Sequence, residues 1–155
     1  WFFFSAVLVV MTFIDIDHQI IPDSLTLPGI PLFALSCVLL PHVTIWQTLL
    51  GILVGGGIPG LLSVGYYFIR KKQGLGGGDV KLLAMIGAAT GIHGVFFTLF
   101  CGSLAGLLYS LPRLAASPKK WETKIPFGPF LALGAQIYVL AGEEIIQWYL
   151  HVIVR

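Results

Sequence analysis

The 155-residue sequence predicts an all-α protein, a polytopic transmembrane helix bundle of about six segments. Three observations carry that expectation. First, 57% of the residues are hydrophobic and only 10% are charged, against about 25% charged residues in a typical soluble chain. Nine basic and seven acidic side chains cannot clothe a globule of this size in water. With a mean hydropathy of +0.92, lipid is the solvent for most of the chain. Second, apolar runs recur along the whole length, separated by short polar links. Third, glycines recur at G-x-x-x-G spacing, at Gly51/Gly55, Gly56/Gly60, Gly87/Gly91 and Gly102/Gly106, and such pairs let helix backbones approach closely in lipid.

A spanning helix needs about 20 apolar residues, fewer where its ends are buried in protein. The first run, Trp1–Ile14, starts inside an apolar stretch with neither an initiating Met nor the basic n-region of a signal peptide, so the chain reads as a fragment or processed form. Leu25–Leu40 and the long Ile45–Ile69 follow. Val80–Thr90 and Val95–Leu111 flank a Gly-containing link, and Phe127–Leu140 closes the set. The fourth and sixth runs are short and extend into flanking Gly and Pro. In the tail, Glu143 and Glu144 precede Trp148-Tyr149, which suits a helix reaching the aqueous interface. All of 1–155 reads as one membrane-embedded domain.

Lysine and arginine set the orientation, because they concentrate in short cytoplasmic loops. Arg70, Lys71, Lys72 and Lys81 flank the third link. Arg113, Lys119, Lys120 and Lys124 fill the fifth, and the links at Pro41–Thr44 and Gly91–Gly94 contain none. Residues 15–24, 70–79 and 112–126 therefore belong to the cytoplasmic face, with Arg155 the exception. A net charge of +2 without a basic patch on a polar surface argues against a nucleic-acid partner. Cys37 and Cys101 sit in apolar runs and read as small core residues, not as a disulfide or zinc set.

All four aspartates fall in two stretches, F-I-D-I-D-H-Q-I-I-P-D with Asp15, Asp17 and Asp23, and G-L-G-G-G-D-V-K with Asp79. One ends the first run and the other begins the fourth, so both lie at the same face and can meet. A carboxylate at the end of an apolar helix is costly to bury ionised and marks a functional site unless it reaches headgroup water. Two facing aspartates share one proton, which leaves a general base beside a general acid, the equipment for activating water in peptide hydrolysis. Gly76, Gly77 and Gly78 would let the chain approach a substrate backbone without Cβ clashes, and the helix beginning near Asp79 favours its anion.

Other readings of these residues use different chemistry. Asp15-Ile16-Asp17-His18 supplies fewer oxygens than a hard cation wants and no clear zinc set, so no metal is expected. The Gly-rich turn lacks the Gly-Lys-Ser/Thr of a phosphate loop. An ion-coupled transporter would place its acids near the bilayer midplane, whereas these lie at an edge. A non-catalytic scaffold subunit would tolerate loss of both acids. Lys81 can snorkel at the interface or tune Asp79, and His18 reads as a solvated side chain. Pro126-Phe127-Gly128-Pro129 should break or delay the last helix, either as simple termination or as a substrate-binding edge.

The motifs F-I-D-I-D-H-Q-I-I-P-D-S-L-T-L-P, G-L-G-G-G-D-V-K-L-L-A and I-P-F-G-P-F-L-A-L-G-A, in that order, make the chain resemble the bacterial type IV prepilin peptidases from about Phe13 to Leu140. The resemblance implies an aspartyl protease of the G-x-G-D class in the bacterial inner membrane. Such an enzyme removes the basic leader from prepilins and type II secretion pseudopilins at the cytoplasmic face, with the substrate's N-terminal helix and membrane lipid as partners. It implies Asp15 and Asp79 as the catalytic pair. Asp17, Asp23, Gly76, Gly77, Gly78, Lys81, Pro126, Phe127 and Gly128 then support them or bind substrate, and the peptidase step needs no cofactor. Family members often also methylate the new N-terminus with S-adenosylmethionine and carry paired Cys-x-x-Cys motifs in a cytosolic domain. These motifs are not in this sequence, so methyl transfer is expected only if a missing N-terminal part supplies it. A related peptidase acting on another leader, such as archaeal preflagellin, shares the same motifs.

Overall fold

A computed structural model describes residues 1–39, 43–71, 76–116 and 126–153. The described residues form helices joined by short links, without a strand among them. Helix α1 (Phe2–His18) buries Phe4, Leu8, Met11 and Asp15, a spacing of four, three and four that makes one stripe along the helix. It ends at Gln19, whose left-handed backbone (φ 54°) turns its N–H onto the Asp15 carbonyl at 2.9 Å. Helix α2 (Asp23–Leu39) runs back beside it, with the Phe4 and Phe33 rings packed edge to face at 5.0 Å.

Helix α3 (Ile45–Ile52) opens with the Gln47 side chain accepting the Thr44 N–H at 3.1 Å. It passes through a π-helical turn, Leu53–Gly57, into α4 (Ile58–Arg70). Pro59 in the first turn of α4 has no N–H to give back to the preceding turn, and Gly55-Gly56-Gly57 takes up the widened geometry. A second π-turn, Tyr138–Gly142, joins α6 (Gly128–Ile137) to α7 (Glu143–Ile153).

Helix α5 (Gly77–Ala116) is the hub. Its helical run is interrupted at Gly91 (φ 70°, ψ −171°), a conformation that only glycine adopts cheaply. An unbroken helix would hold residues 87 and 95 about 12 Å apart. Instead a Cβ added at Gly87 would lie 2.9 Å from Val95 Cγ2, so the arms 77–90 and 92–116 fold back on each other. The fourth and fifth apolar runs are thus the two arms of one element. The expected four-residue link shrinks to a single residue.

Close backbone approach organises the rest. Gly51 and Gly87 put α3 and the first arm of α5 in backbone contact, where a Cβ on either would strike the other's carbonyl. Gly102 faces the Phe130 carbonyl and Gly134 the Thr98 carbonyl, which seats α6 on the second arm. The buried core, Phe4, Leu8, Met11, Phe33, Leu82, Leu83, Met85, Ile86 and Leu131, lies between α1, α2, α5 and α6. Most large side chains of α4, including Leu61, Leu62, Phe68 and Ile69, point outward.

These pairings gather the C-terminal end of α1, the start of α2, the start of α5 and the start of α6 at one end of the bundle. Val43 and Gln47 meet Gly91 at the other end, with Gly94 packed on Tyr138. By length and composition, two helical stretches are apolar enough to cross a membrane, Ile45–Ile69 and Gly77–Pro112. The charges Lys72, Lys119, Lys120, Lys124 and Arg155 of the orientation argument lie outside the described residues.

Backbone contact at Gly87 makes a sharp prediction. Gly87→Ala should lower the thermal unfolding midpoint in detergent by an amount equivalent to about 1–3 kcal/mol, because neither carbonyl can move aside. Gly57→Ala, where nothing lies within 4 Å of the added carbon, should leave the midpoint unchanged or slightly raised. Equal tolerance at both positions would contradict the packing.

Candidate active site

The last member of the buried stripe of α1 is an acid. Asp15 is only 5% exposed, and an ionised carboxylate so placed needs donors close by. One comes from another helix: the backbone N–H of Gly128 donates to Asp15 Oδ2 at 3.1 Å. Gly128 is the first residue of α6, so this N–H is one that the helix itself leaves unpaired. Pro129 has none, and the Phe130 N–H goes to the Phe127 carbonyl at 3.1 Å. Asp15 thereby caps α6 from outside, where the helix dipole favours an anion. A Cβ there would sit 2.5 Å from Asp15 Oδ2 and 3.1 Å from Ile21 Cδ1, so a larger residue would push the carboxylate off its donor.

Asp79 stands in the first turn of α5. The Gly76 carbonyl accepts the N–H groups of Asp79 and Val80 at 3.1 and 3.4 Å, and the Gly76 N–H donates to the Asp79 carboxylate. The bond from the Gly76 N–H is the acid's half of a capping box, with the acid three residues beyond the cap and the glycine offering no side chain in return. Asp79 is half-buried, and the Asp15 carboxylate is near enough to act directly on its charge. Each acid therefore meets a helix N-terminus through a backbone donor, and the two lie within electrostatic range of each other.

A residue that sequence reasoning passed over sets their spacing. Ile21, buried between α1 and α2, lies 2.8 Å from where a Cβ on Gly78 would be and touches the Gly128 position on its other side. It wedges between the segments that carry the two acids. Being a linker residue, it belongs to no periodic pattern that could have flagged it. Of the three glycines before Asp79, Gly78 is hemmed in by Ile21, a Cβ on Gly76 would lie 3.0 Å from the Asp79 carboxylate, and Gly77 faces open space.

The other expected site residues divide. Asp17 is exposed, two residues round the helix from Asp15, and His18 is exposed as well, so the D-x-D-H stretch does not converge on one point. Asp23 does not join the pair either: both of its oxygens accept from Lys81 Nζ, at 2.7 and 2.6 Å. Lys81 thus gives its ammonium to Asp23. Phe127 packs against the core beside Gly106, and Pro126 is half-buried at the entry to α6.

An apolar helical bundle with two carboxylates confronting each other at one end defines a paired-acid site on a membrane-type scaffold. The chain belongs to the type IV leader peptidase family, whose model matches residues 2–111, a stretch containing both acids. It is 35% identical over 147 residues to the prepilin leader peptidase/N-methyltransferase of Aeromonas salmonicida, covering 95% of this chain and 50% of that protein. To the protein of the same name from Pseudomonas aeruginosa it is 37% identical over 147 residues, covering 92% and 49%. The Legionella pneumophila protein is 33% identical over 145 residues, covering 93% and 50%. The chain spans about half the length of these relatives. No solved structure gives a significant match.

A structural cap and a reactive acid differ in what their loss does to stability. In Asp15→Asn the amide oxygen can still accept from Gly128, and the cost of burying charge disappears. The thermal midpoint in detergent should rise by roughly 2–4 °C, the equivalent of about 1 kcal/mol in a chain of this size. A fall of that size would make Asp15 an ordinary stabilising cap.

Proposed function

We propose that this chain is an aspartic endopeptidase of the inner membrane that removes the leader from type IV prepilins or type II secretion pseudopilins at the cytoplasmic face. The observation that carries the reading is the confrontation of buried Asp15 with Asp79 at one end of the bundle, each held by a backbone N–H. Family membership and the names of the relatives support the substrate class.

The chemistry follows from the shared proton. The ionised carboxylate takes a proton from a water molecule as its oxygen attacks the scissile carbonyl carbon. The protonated partner gives its proton to the carbonyl oxygen. Collapse of the tetrahedral diol then breaks the C–N bond, with a proton delivered to the leaving amine, and the pair returns to its single-proton state. Gly128 holds Asp15 in place during these transfers without titrating. The open side of Gly77 leaves room for an extended substrate backbone beside Asp79.

The apolar stem of the substrate helix lies in lipid, and the leader's basic end stays in the cytoplasm. Six crossings, with the arms of α5 as two of them, bring the acid end to that side. Exposed Lys71 and the Lys81 ammonium mark the same end. Methyl transfer, the other activity in the relatives' names, would need an S-adenosylmethionine site, and the acid pair supplies no chemistry for it.

Purified protein and a prepilin, analysed by mass spectrometry of both products, test the reading. Asp15→Asn and Asp79→Asn should each lower cleavage by 10² or more, since an amide neither takes nor gives the proton. Asp17→Asn should stay within about twofold of wild type, its side chain being exposed and apart. Gly128→Ala should approach the loss in Asp15→Asn. Chelators should leave all of this unchanged, and loss with recovery on adding a divalent ion would replace the acid-pair mechanism by a metal one.

Orientation is separable. With Cys37 and Cys101 replaced by serine, a cysteine at Lys71 should react with a membrane-impermeant thiol reagent only from the cytoplasmic side, and one at Thr44 only from the other. The reverse pattern would remove the proposed substrate from reach.

A further inference from the structure

The ion pair between Lys81 and Asp23 has no part in the proton transfers above, yet its place in the chain gives it one in geometry. Asp23 is the first residue of α2, eight residues beyond Asp15, and Lys81 is two residues beyond Asp79. Between Asp15 and Asp23 the chain makes the left-handed turn at Gln19 and passes through buried Ile21. The pair therefore closes a ring: Asp15, the end of α1, Ile21, Asp23, Lys81, Asp79 and back to Asp15.

Within that ring the segments carrying the two acids meet on the inner side through Ile21 and Gly78, an apolar contact that has no preferred angle. On the outer side they meet through Lys81 Nζ, which donates to both Asp23 oxygens at 2.7 and 2.6 Å. A contact on one side and a two-point ionic link on the other together fix both the distance and the rotation of the first turn of α5. That first turn carries Asp79.

We infer that Asp23 and Lys81 are a positioning pair, a strap that holds Asp79 at its working distance and angle from Asp15 without touching the substrate. The inference rests on the acid-pair reading and adds to it two residues with a defined role. At 38% and 55% side-chain exposure the pair contributes little to stability, so its purpose is not to hold the fold. Catalytic geometry is far more demanding than folding, because a displacement of about 1 Å can cost on the order of 10² in rate.

A double-mutant cycle on the purified full chain, with prepilin cleavage resolved into kcat and KM, tests the strap. Asp23→Asn and Lys81→Met should each lower kcat by about 2- to 5-fold, the most that an exposed ion pair can bias the geometry, with KM within twofold. The double variant Asp23→Asn/Lys81→Met should be no worse than the poorer single, because one broken link cannot be broken again. Lys81→Arg, which can still bind both oxygens, should recover most of the activity. Unfolding midpoints of all variants should lie within a few degrees of wild type. Losses that multiply in the double variant would overturn the strap, as would a rise in KM with kcat unchanged or a failure of Lys81→Arg to recover. Asp79→Asn serves as the control for the underlying reading. If it cleaves like wild type, the acid pair itself is wrong, whereas inactive Asp79→Asn beside fully active strap variants removes only the strap.

Discussion

A carboxylate at the end of a buried apolar stripe imposes a condition on everything around it: a donor must reach it from a neighbouring element. At Asp15 that donor is a backbone N–H that α6 cannot use internally, because Gly128 is the first residue of the helix. The condition fixes the start of α6 against the end of α1. The hydrogen bonds between Ser5 and Gln136, with the Ser5 hydroxyl donating to Gln136 Oε1 at 2.9 Å and Gln136 Nε2 donating to the Ser5 carbonyl at 3.2 Å, keep the same two helices in register nearer the other end. A side-chain amide in an apolar bundle would be costly unpaired, so both ends of the α1–α6 contact are specified by polar need and the middle by packing.

Bringing the second acid to this point is a problem of chain reversal between apolar helices. The solution is backbone proximity. Gly51, Gly55 and Gly87 let α3 and the π-turn after it lie directly on the first arm of α5, and Gly91 folds the second arm back over it. The first arm thus becomes the centre of the bundle, and its N-terminal turn, with Asp79, opens at the acid end. The π-turn at Leu53–Gly57 lies where α3 is in this contact. Beyond it, α4 presents its large side chains outward.

Much of this was legible in the sequence because both signals are chemical rather than positional. Aspartates confined to two stretches, each at the polar end of an apolar run, already require a shared location, and the G-x-x-x-G pairs mark the helices that can touch. The stripe Phe4, Leu8, Met11, Asp15 could have been read as one buried face, which would have separated Asp15 from Asp17 at once. What resisted was of another kind. Glycines look alike in a sequence, so the positive φ of Gly91, the steric need at Gly78 and Gly128, and the freedom at Gly77 emerge only with their neighbours in place. The π-turns leave apolar composition unchanged and carry no periodic mark. The partner of Lys81 lies 58 residues away, beyond any local rule, and Asp23 reads as one more interfacial acid until α2 is set beside α5.

The central claim is that the fold itself brings residues 15 and 79 face to face while keeping 17 apart. Cysteines placed pairwise at 15 and 79, or at 17 and 79, in a chain with Cys37 and Cys101 replaced by serine, report this in native membranes when treated with a short bifunctional thiol reagent. Cross-linking should be fast for the 15/79 pair and at least tenfold slower for 17/79, since residue 17 projects from a different face of α1. Equal rates for the two pairs, or a faster 17/79 reaction, would contradict the arrangement on which the proposed chemistry depends.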